Sequence, residues 1–133
     1  MSHVLSVDDF TSPDIKPKVT DAYLSRCDRQ YNWLLRYWSI SQDDKPVDPD
    51  TGVDVLSPEV MEYLINWTSY VICKDRVSVS LRETQNGAID EDPYSKMMDV
   101  YQAEYENWFA VITREGILND FPGSHNSAVI NRS

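Results

Sequence analysis

Asp92-Pro-Tyr-Ser-Lys-Met-Met-Asp-Val-Tyr-Gln-Ala-Glu-Tyr-Glu-Asn-Trp-Phe-Ala-Val-Ile-Thr113 is the stretch that decides the fold class. At 100° per residue, Tyr94, Met97, Met98, Tyr101, Tyr105, Trp108, Phe109 and Ile112 fall within an arc of roughly 120°, the stripe of an amphipathic helix. Asp92 is placed to cap that helix. Pro93 takes the first helical position, where a missing N–H leaves nothing unsatisfied. Gly116 is the natural residue to end it, since the position past a helix often needs a positive φ. The stripe is expected to fill a groove between two other helices, against Leu64 and Trp67 of one and Tyr31 and Leu34 of the other.

Working outward, Ser57-Pro58-Glu59 has the form of a helix start: a cap, a proline at the first position and an acid in the first turn. Val60, Leu64, Trp67 and Val71 form the centre line of this second helix. Met61, Ile65 and Ile72 widen it on one side, Tyr63 and Tyr70 on the other. Only Glu62, Asn66, Ser69, Cys73 and Arg76 read as solvated, so the helix is expected to be central, with apolar surface to spare for another subunit. Val77-Ser-Val-Ser-Leu81 alternates with period two and fits a short strand or a helix end. A lone strand has no partner, which favours helix or linker. The weaker alternative is a hairpin with Ala88-Ile89 across the Asn86-Gly87 turn.

A first long helix is expected from about Pro17 to Ile40. Val19, Tyr23, Cys27, Tyr31, Leu34, Tyr37 and Trp38 define its apolar face, with Arg26 and Gln30 near the middle of it. Arg26 either snorkels at the core edge or is held for a subunit contact. Before it, Pro13 and Pro17 limit residues 1–17 to a short helical turn. Residues 41–57 carry two prolines, a glycine and five aspartates, and read as a long loop. The tail 117–133 is polar and turn-rich. The expected architecture is thus a single all-α domain, a small bundle of three long helices plus a short N-terminal helical turn. It divides into an N-terminal arm (1–16), a helical core (17–116) and a flexible, extended tail (117–133), with the acidic loop inside the core segment.

The chain has 133 residues, enough for one real core. Its net charge of −10 opposes binding to phosphates or to an anionic membrane. Cys27 and Cys73 are the only cysteines, read as two buried thiols with no zinc spacing. The N-terminus lacks the basic and apolar regions of a secretory leader, and no apolar run approaches the roughly 20 residues that span a bilayer. Synthesis inside a cell is the expectation.

Reactive chemistry is not expected. His3 and His125 are the only histidines and stand at opposite ends of the chain, away from any nucleophile on a rigid element. With four glycines, none in a phosphate-cradling pattern, no nucleotide site is read. Asp48-x-Asp50-x-Gly52-x-Asp54, followed by Glu59, loosely mimics a calcium loop. Val53, however, takes the position that needs glycine and Gly52 one that needs an oxygen ligand. The reading is a solvated acidic loop, with no metal, no cofactor and no catalytic residue. Asn66-Trp67-Thr68 matches a glycosylation pattern but lies inside a helix.

The order of elements, with the motif Asp92-Pro93-Tyr94-x-x-Met97-Met98-x-x-Tyr101-x-x-x-Tyr105-x-x-Trp108-Phe109-x-x-Ile112-Thr113-Arg114-Glu115-Gly116-Ile117, resembles the small head–tail connector (adaptor, or head-completion) proteins of tailed bacteriophages. The resemblance implies a structural virion protein of the neck, made in the host cytoplasm. It would assemble as a ring, commonly of about a dozen copies, that joins portal and tail and continues the DNA channel. An acidic lumen would let DNA slide through without specific binding. Arg26, Tyr63, Tyr70, Val53, Val55, Ile117, Leu118 and Phe121 are the candidate partner-contact residues. The competing reading is a small acidic adaptor or regulator that binds a basic protein.

Overall fold

A computed structural model describes residues 3–83 and 93–119. Two 3₁₀ turns, Val7–Asp9 and Lys16–Lys18, precede four helices: α1 (Asp21–Tyr37), α2 (Pro58–Glu83), α3 (Pro93–Val111) and α4 (Arg114–Asn119). Among the described residues the only strand-like pairing is an isolated antiparallel bridge between Val47 and Asp54. The protein is small and all-α. No described helix is long and apolar enough to cross a membrane.

The arm before α1 is part of the core. Leu5, Phe10, Ile15 and Val19 are all buried. The Asp9 carboxylate accepts from the Ser6 N–H at 2.8 Å and tightens the first 3₁₀ turn.

Helix α1 is shorter than expected at both ends. Pro17 lies within the second 3₁₀ turn, and extended Thr20 is the true N-cap, its hydroxyl accepting from the Tyr23 N–H at 3.4 Å. At the other end Ser39 adopts φ 56°, the Ile40 N–H donates to the Leu35 carbonyl and the Ser39 N–H to that of Arg36. This is a Schellman stop with serine where glycine is usual, and buried Ile40 supplies its apolar closing contact. The chain therefore leaves the helix at Tyr37, ahead of the expected Ile40.

Helix α2 begins as the sequence suggests. The Ser57 hydroxyl accepts from the Val60 N–H at 3.2 Å. The helix then runs unbroken to Glu83, so Val77 to Leu81 is helical despite its alternation. The hairpin alternative required Asn86-Gly87 and Ala88-Ile89, which lie outside the described residues. Asn66, Ser69 and Cys73, expected to be solvated, are buried. Two of them hide their polarity within the helix itself. The Asn66 amide donates to the Glu62 carbonyl and the Ser69 hydroxyl to that of Ile65, both at 2.8 Å. Cys27 of α1 is buried as well, its thiol facing the Thr68 hydroxyl, and burial pushes it up to about 12.

Helix α3 packs along α2 far more extensively than on α1, so the groove expected between two helices is lopsided. None of its residues is fully buried. Tyr94, Met97, Met98, Tyr101, Tyr105, Trp108 and Phe109 are half-covered, and only Ile112, just past the helix, is enclosed. The expected stop at Gly116 is displaced. The chain breaks at Ile112-Thr113, the Thr113 hydroxyl accepts from the Gly116 N–H at 2.9 Å, and Gly116 lies inside α4. That short helix is tied back to the end of α1 where Arg114 Nε donates to the Trp38 carbonyl at 2.9 Å. Asp92, the expected cap of α3, lies outside the described residues, as do residues 120–133 of the expected tail.

Candidate interaction surface

Helix α1 presents two unlike flanks. On one, the arm and the 41–57 segment meet it through polar groups. His3 lies between two carboxylates of the helix, Nδ1 2.6 Å from Asp28 Oδ2 and Nε2 2.7 Å from Asp21 Oδ1. The hydrogen bond with Asp28, then that with Asp21, raises the imidazole above its ordinary value of 6.5. The other Asp28 oxygen accepts from the Val4 N–H at 2.9 Å.

The 41–57 segment is a rigid finger. The Asp48 N–H donates to the Val53 carbonyl, the Val55 N–H to that of Pro46 and the Gly52 N–H to that of Asp48. Gly52 makes the turn with φ 74°, a conformation that costs other residues strain. Lys45 Nζ lies 2.9 Å from Asp54 Oδ1, pinning the base of the finger. Two acids of the calcium-like pattern are thus engaged inside the chain: Asp54 with Lys45, and Asp48 Oδ1 with the Asp50 N–H at 2.8 Å. Among the described residues no cluster of three metal-ligating side chains forms. Between finger and helix lies a polar cleft of about 320 Å³, lined in part by His3, Tyr31, Asn32, Gln42 and Asp54. The Tyr31 hydroxyl is buried there, and burial, with the charge of Asp54, raises its pKa.

The other flank is aromatic. At 100° per residue Trp33 lies roughly 140° round the helix from Asp28, and Tyr37 the same from Asn32. Trp33 stacks on Tyr37 at 5.4 Å between centroids, and both meet Phe109 of α3, at 6.2 and 5.3 Å. Phe109 reaches Tyr63 of α2 at 5.6 Å, and Tyr105 touches Tyr63 and Tyr70 at 6.0 and 5.3 Å. Trp33, Tyr63, Tyr105, Glu106 and Phe109 line an open groove of about 220 Å³. Trp33 is 39% exposed and Tyr37 54%, unusual for side chains of this size. Between the two flanks runs a ridge with Arg29 and Arg36, exposed and without an ionic partner among the described residues.

The candidate contact residues scatter. Arg26 pairs with Asp75 of α2 at 3.2 Å and covers the Tyr23 ring, and the Tyr23 hydroxyl donates to the same carboxylate at 2.7 Å. Burial, reinforced by Asp75, pushes that phenol up to about 12. Gln30 donates to the Tyr63 hydroxyl at 2.8 Å. Both polar residues on the apolar face of α1 therefore bind α2. Tyr63 and Ile117 belong to the chain's own core, and Leu118 and Val55 are half-buried. Tyr70 is half-buried beside Tyr105, while Val53 stands 52% exposed at the finger tip. Phe121 lies outside the described residues.

Trp33, the centre of the aromatic flank, escaped the sequence reading. It falls off the apolar arc, on the side of Arg29 and Arg36, and an indole among arginines on a polar face was the available signal. Compared with protein-family models, curated proteins and solved structures, the chain matches none.

Proposed function

We propose that this chain is a structural protein of the virion neck in a tailed phage, a head–tail connector. Its copies form a ring, of about a dozen by the resemblance, that joins portal to tail and continues the DNA channel. In this reading α1, α2 and α3 form a small bundle around α2, a rigid body made to be stacked side by side. One observation carries the proposal: an aromatic strip, Trp33 and Tyr37 of α1 with Phe109 of α3, left open on the surface of an acidic protein. Exposed aromatics flanked by arginines have the composition of a protein–protein contact. The charge of −10 suits a lumen wall past which DNA moves without adhering. Native mass spectrometry and electron microscopy of the purified chain test the assembly. The expected result is closed rings of one copy number; a monomer at every concentration and on every portal offered refutes it.

A second reading, a small acidic adaptor for a basic protein, is favoured by Glu106, which stands at the rim of the aromatic groove. An arginine or lysine of a partner laid over those rings would find a carboxylate at its end. That reading predicts a stable monomer or dimer whose partner binding weakens steeply with salt.

A further inference from the structure

The aromatic groove and the finger stand on opposite flanks of α1, and each has what the other lacks. The groove is aromatic with Glu106 at its α3 rim, and the α1 edge beside it carries Arg29 and Arg36, which are exposed and without an ionic partner among the described residues. The finger tip is acidic, with Asp50 exposed, and just past its turn stands one exposed aliphatic side chain, Val53, at the outer edge of the cleft toward α1. It is held in shape by its own backbone hydrogen bonds and the Lys45–Asp54 pair, so docking it would freeze little additional freedom. Within one chain the two cannot meet, because the body of α1 separates them.

We infer that the occupant of the aromatic groove is the finger of a second copy of this chain. Val53 packs over the open faces of Trp33 and Phe109 in the groove, and Asp50 faces the Arg29–Arg36 ridge. The choice of a second copy rests on charge complementarity at the α1 edge: Glu106 stands on the α3 side of the groove, while Arg29 and Arg36, exposed and without an ionic partner among the described residues, stand beside Trp33 on the α1 side and suit an acidic guest, which the chain's own finger is. Such a contact is heterologous. Each copy uses its finger on one neighbour and its groove on the other, the arrangement that generates rings when the rotation closes. The inference rests on the assembly reading above and specifies its contact.

The test is a complementation between two full-length variants, read by native mass spectrometry. Val53→Lys disables the finger and leaves the groove intact. Trp33→Ala disables the groove and leaves the finger intact. Both positions lie at the surface, and thermal melts check that each variant folds. Trp33→Phe, which keeps a ring, should retain assembly. Each disabling variant alone should weaken assembly by about tenfold or more. Mixed in equal amounts, they should form one-to-one dimers and nothing larger, because only one working finger and one working groove exist per pair. Raised salt should weaken wild-type assembly, and Arg36→Glu should reproduce that loss at low salt. If wild type assembles and either disabling variant assembles as well, or if the mixture yields only monomers, the finger-in-groove contact is overturned while the assembly reading stands. If wild type itself stays monomeric at its highest soluble concentration, with and without a portal, both fall.

Discussion

The two flanks of α1 hold their neighbours by different physics. On the polar flank His3 joins the arm to Asp21 and Asp28 of α1 through directed contacts of 2.6–2.7 Å, and Lys45–Asp54 at 2.9 Å locks the finger beside it. On the aromatic flank Trp33, Tyr37, Tyr63, Tyr105 and Phe109 act through ring faces and edges 5.3–6.2 Å apart, with much of the area still open. Directed polar contacts fix one geometry and respond to pH and charge. Area contacts tolerate small shifts, ignore pH and, where incomplete, invite more area. The polar flank is fixed by directed pairs around its cleft; the aromatic flank leaves ring area exposed.

Phe109→Ala should separate the two most sharply. The ring touches Trp33, Tyr37 and Tyr63, so its loss removes these ring contacts of α3 with α1 and α2. Because Phe109 is half-buried, the expected cost is about 2–3 kcal/mol, below the usual range for an enclosed phenylalanine. Urea unfolding at acid and alkaline pH measures it. The same loss at both is expected, and a strongly pH-dependent loss would erase the distinction between the flanks.

Lys45→Ala is the matching change on the polar side. Lys45 and Asp54 are each 20% exposed in the side chain, so deleting the ammonium strands a mostly covered carboxylate, at about 2 kcal/mol. The double variant Lys45→Met with Asp54→Leu sharpens the point, since replacing both partners removes the stranded charge and should recover most of the loss. Equal instability of single and double variants would mean that the pair contributes through geometry of the finger and not through charge.

A smaller effect is expected where the chain turns from α1 toward the finger. Ser39 holds φ 56° in the Schellman stop, a conformation that glycine adopts without strain. Ser39→Gly should stabilise the protein by about 1 kcal/mol, seen as a higher melting temperature. Destabilisation would show that Ser39 contributes something beyond its backbone angle.

These details divide what could be read in advance from what could not. The Ser57-Pro58 start was legible because capping chemistry is local: one hydroxyl serves one N–H three residues on. The stripe of α3 was legible as a face, since periodicity states direction. Periodicity does not state coverage, and so it could not show that Tyr101 to Phe109 stay half-open while α2 is enclosed on more than one side. Asn66 and Ser69 misled because a side chain that satisfies itself on the carbonyl four residues back loses its need for water. The finger was legible as a non-helical loop. Its stiffness was not, because that depends on Lys45 finding Asp54 nine positions away in the chain. For the proposed contact surface, Val53 was in view and Trp33 was not, since a search along apolar arcs passes over an aromatic that stands on the wrong side.

The smallest effect, and the one that tests the polar flank most directly, is the pH dependence of the arm. The His3 pKa is raised in the folded chain, first by the hydrogen bond with Asp28 and then by that with Asp21. A group raised on folding binds protons more tightly in the native state. Its contribution is therefore complete below the unfolded value of 6.5 and is lost as pH climbs through the higher folded value. Asp21 is 87% exposed in its side chain, so solvent screens half of the arrangement, and the contribution at low pH is set at about 1 kcal/mol or less. The difference in unfolding free energy between wild type and His3→Ala should then be largest below pH 6.5 and shrink toward alkaline pH. An NMR titration of the imidazole reads the raised value independently. His3→Gln, which can hydrogen-bond but cannot titrate, should show a flat difference from wild type at alkaline pH and a growing one on acidification. A wild-type imidazole that titrates at or below 6.5 would remove the charge from this joint and leave the arm held by Leu5, Phe10 and Ile15 alone.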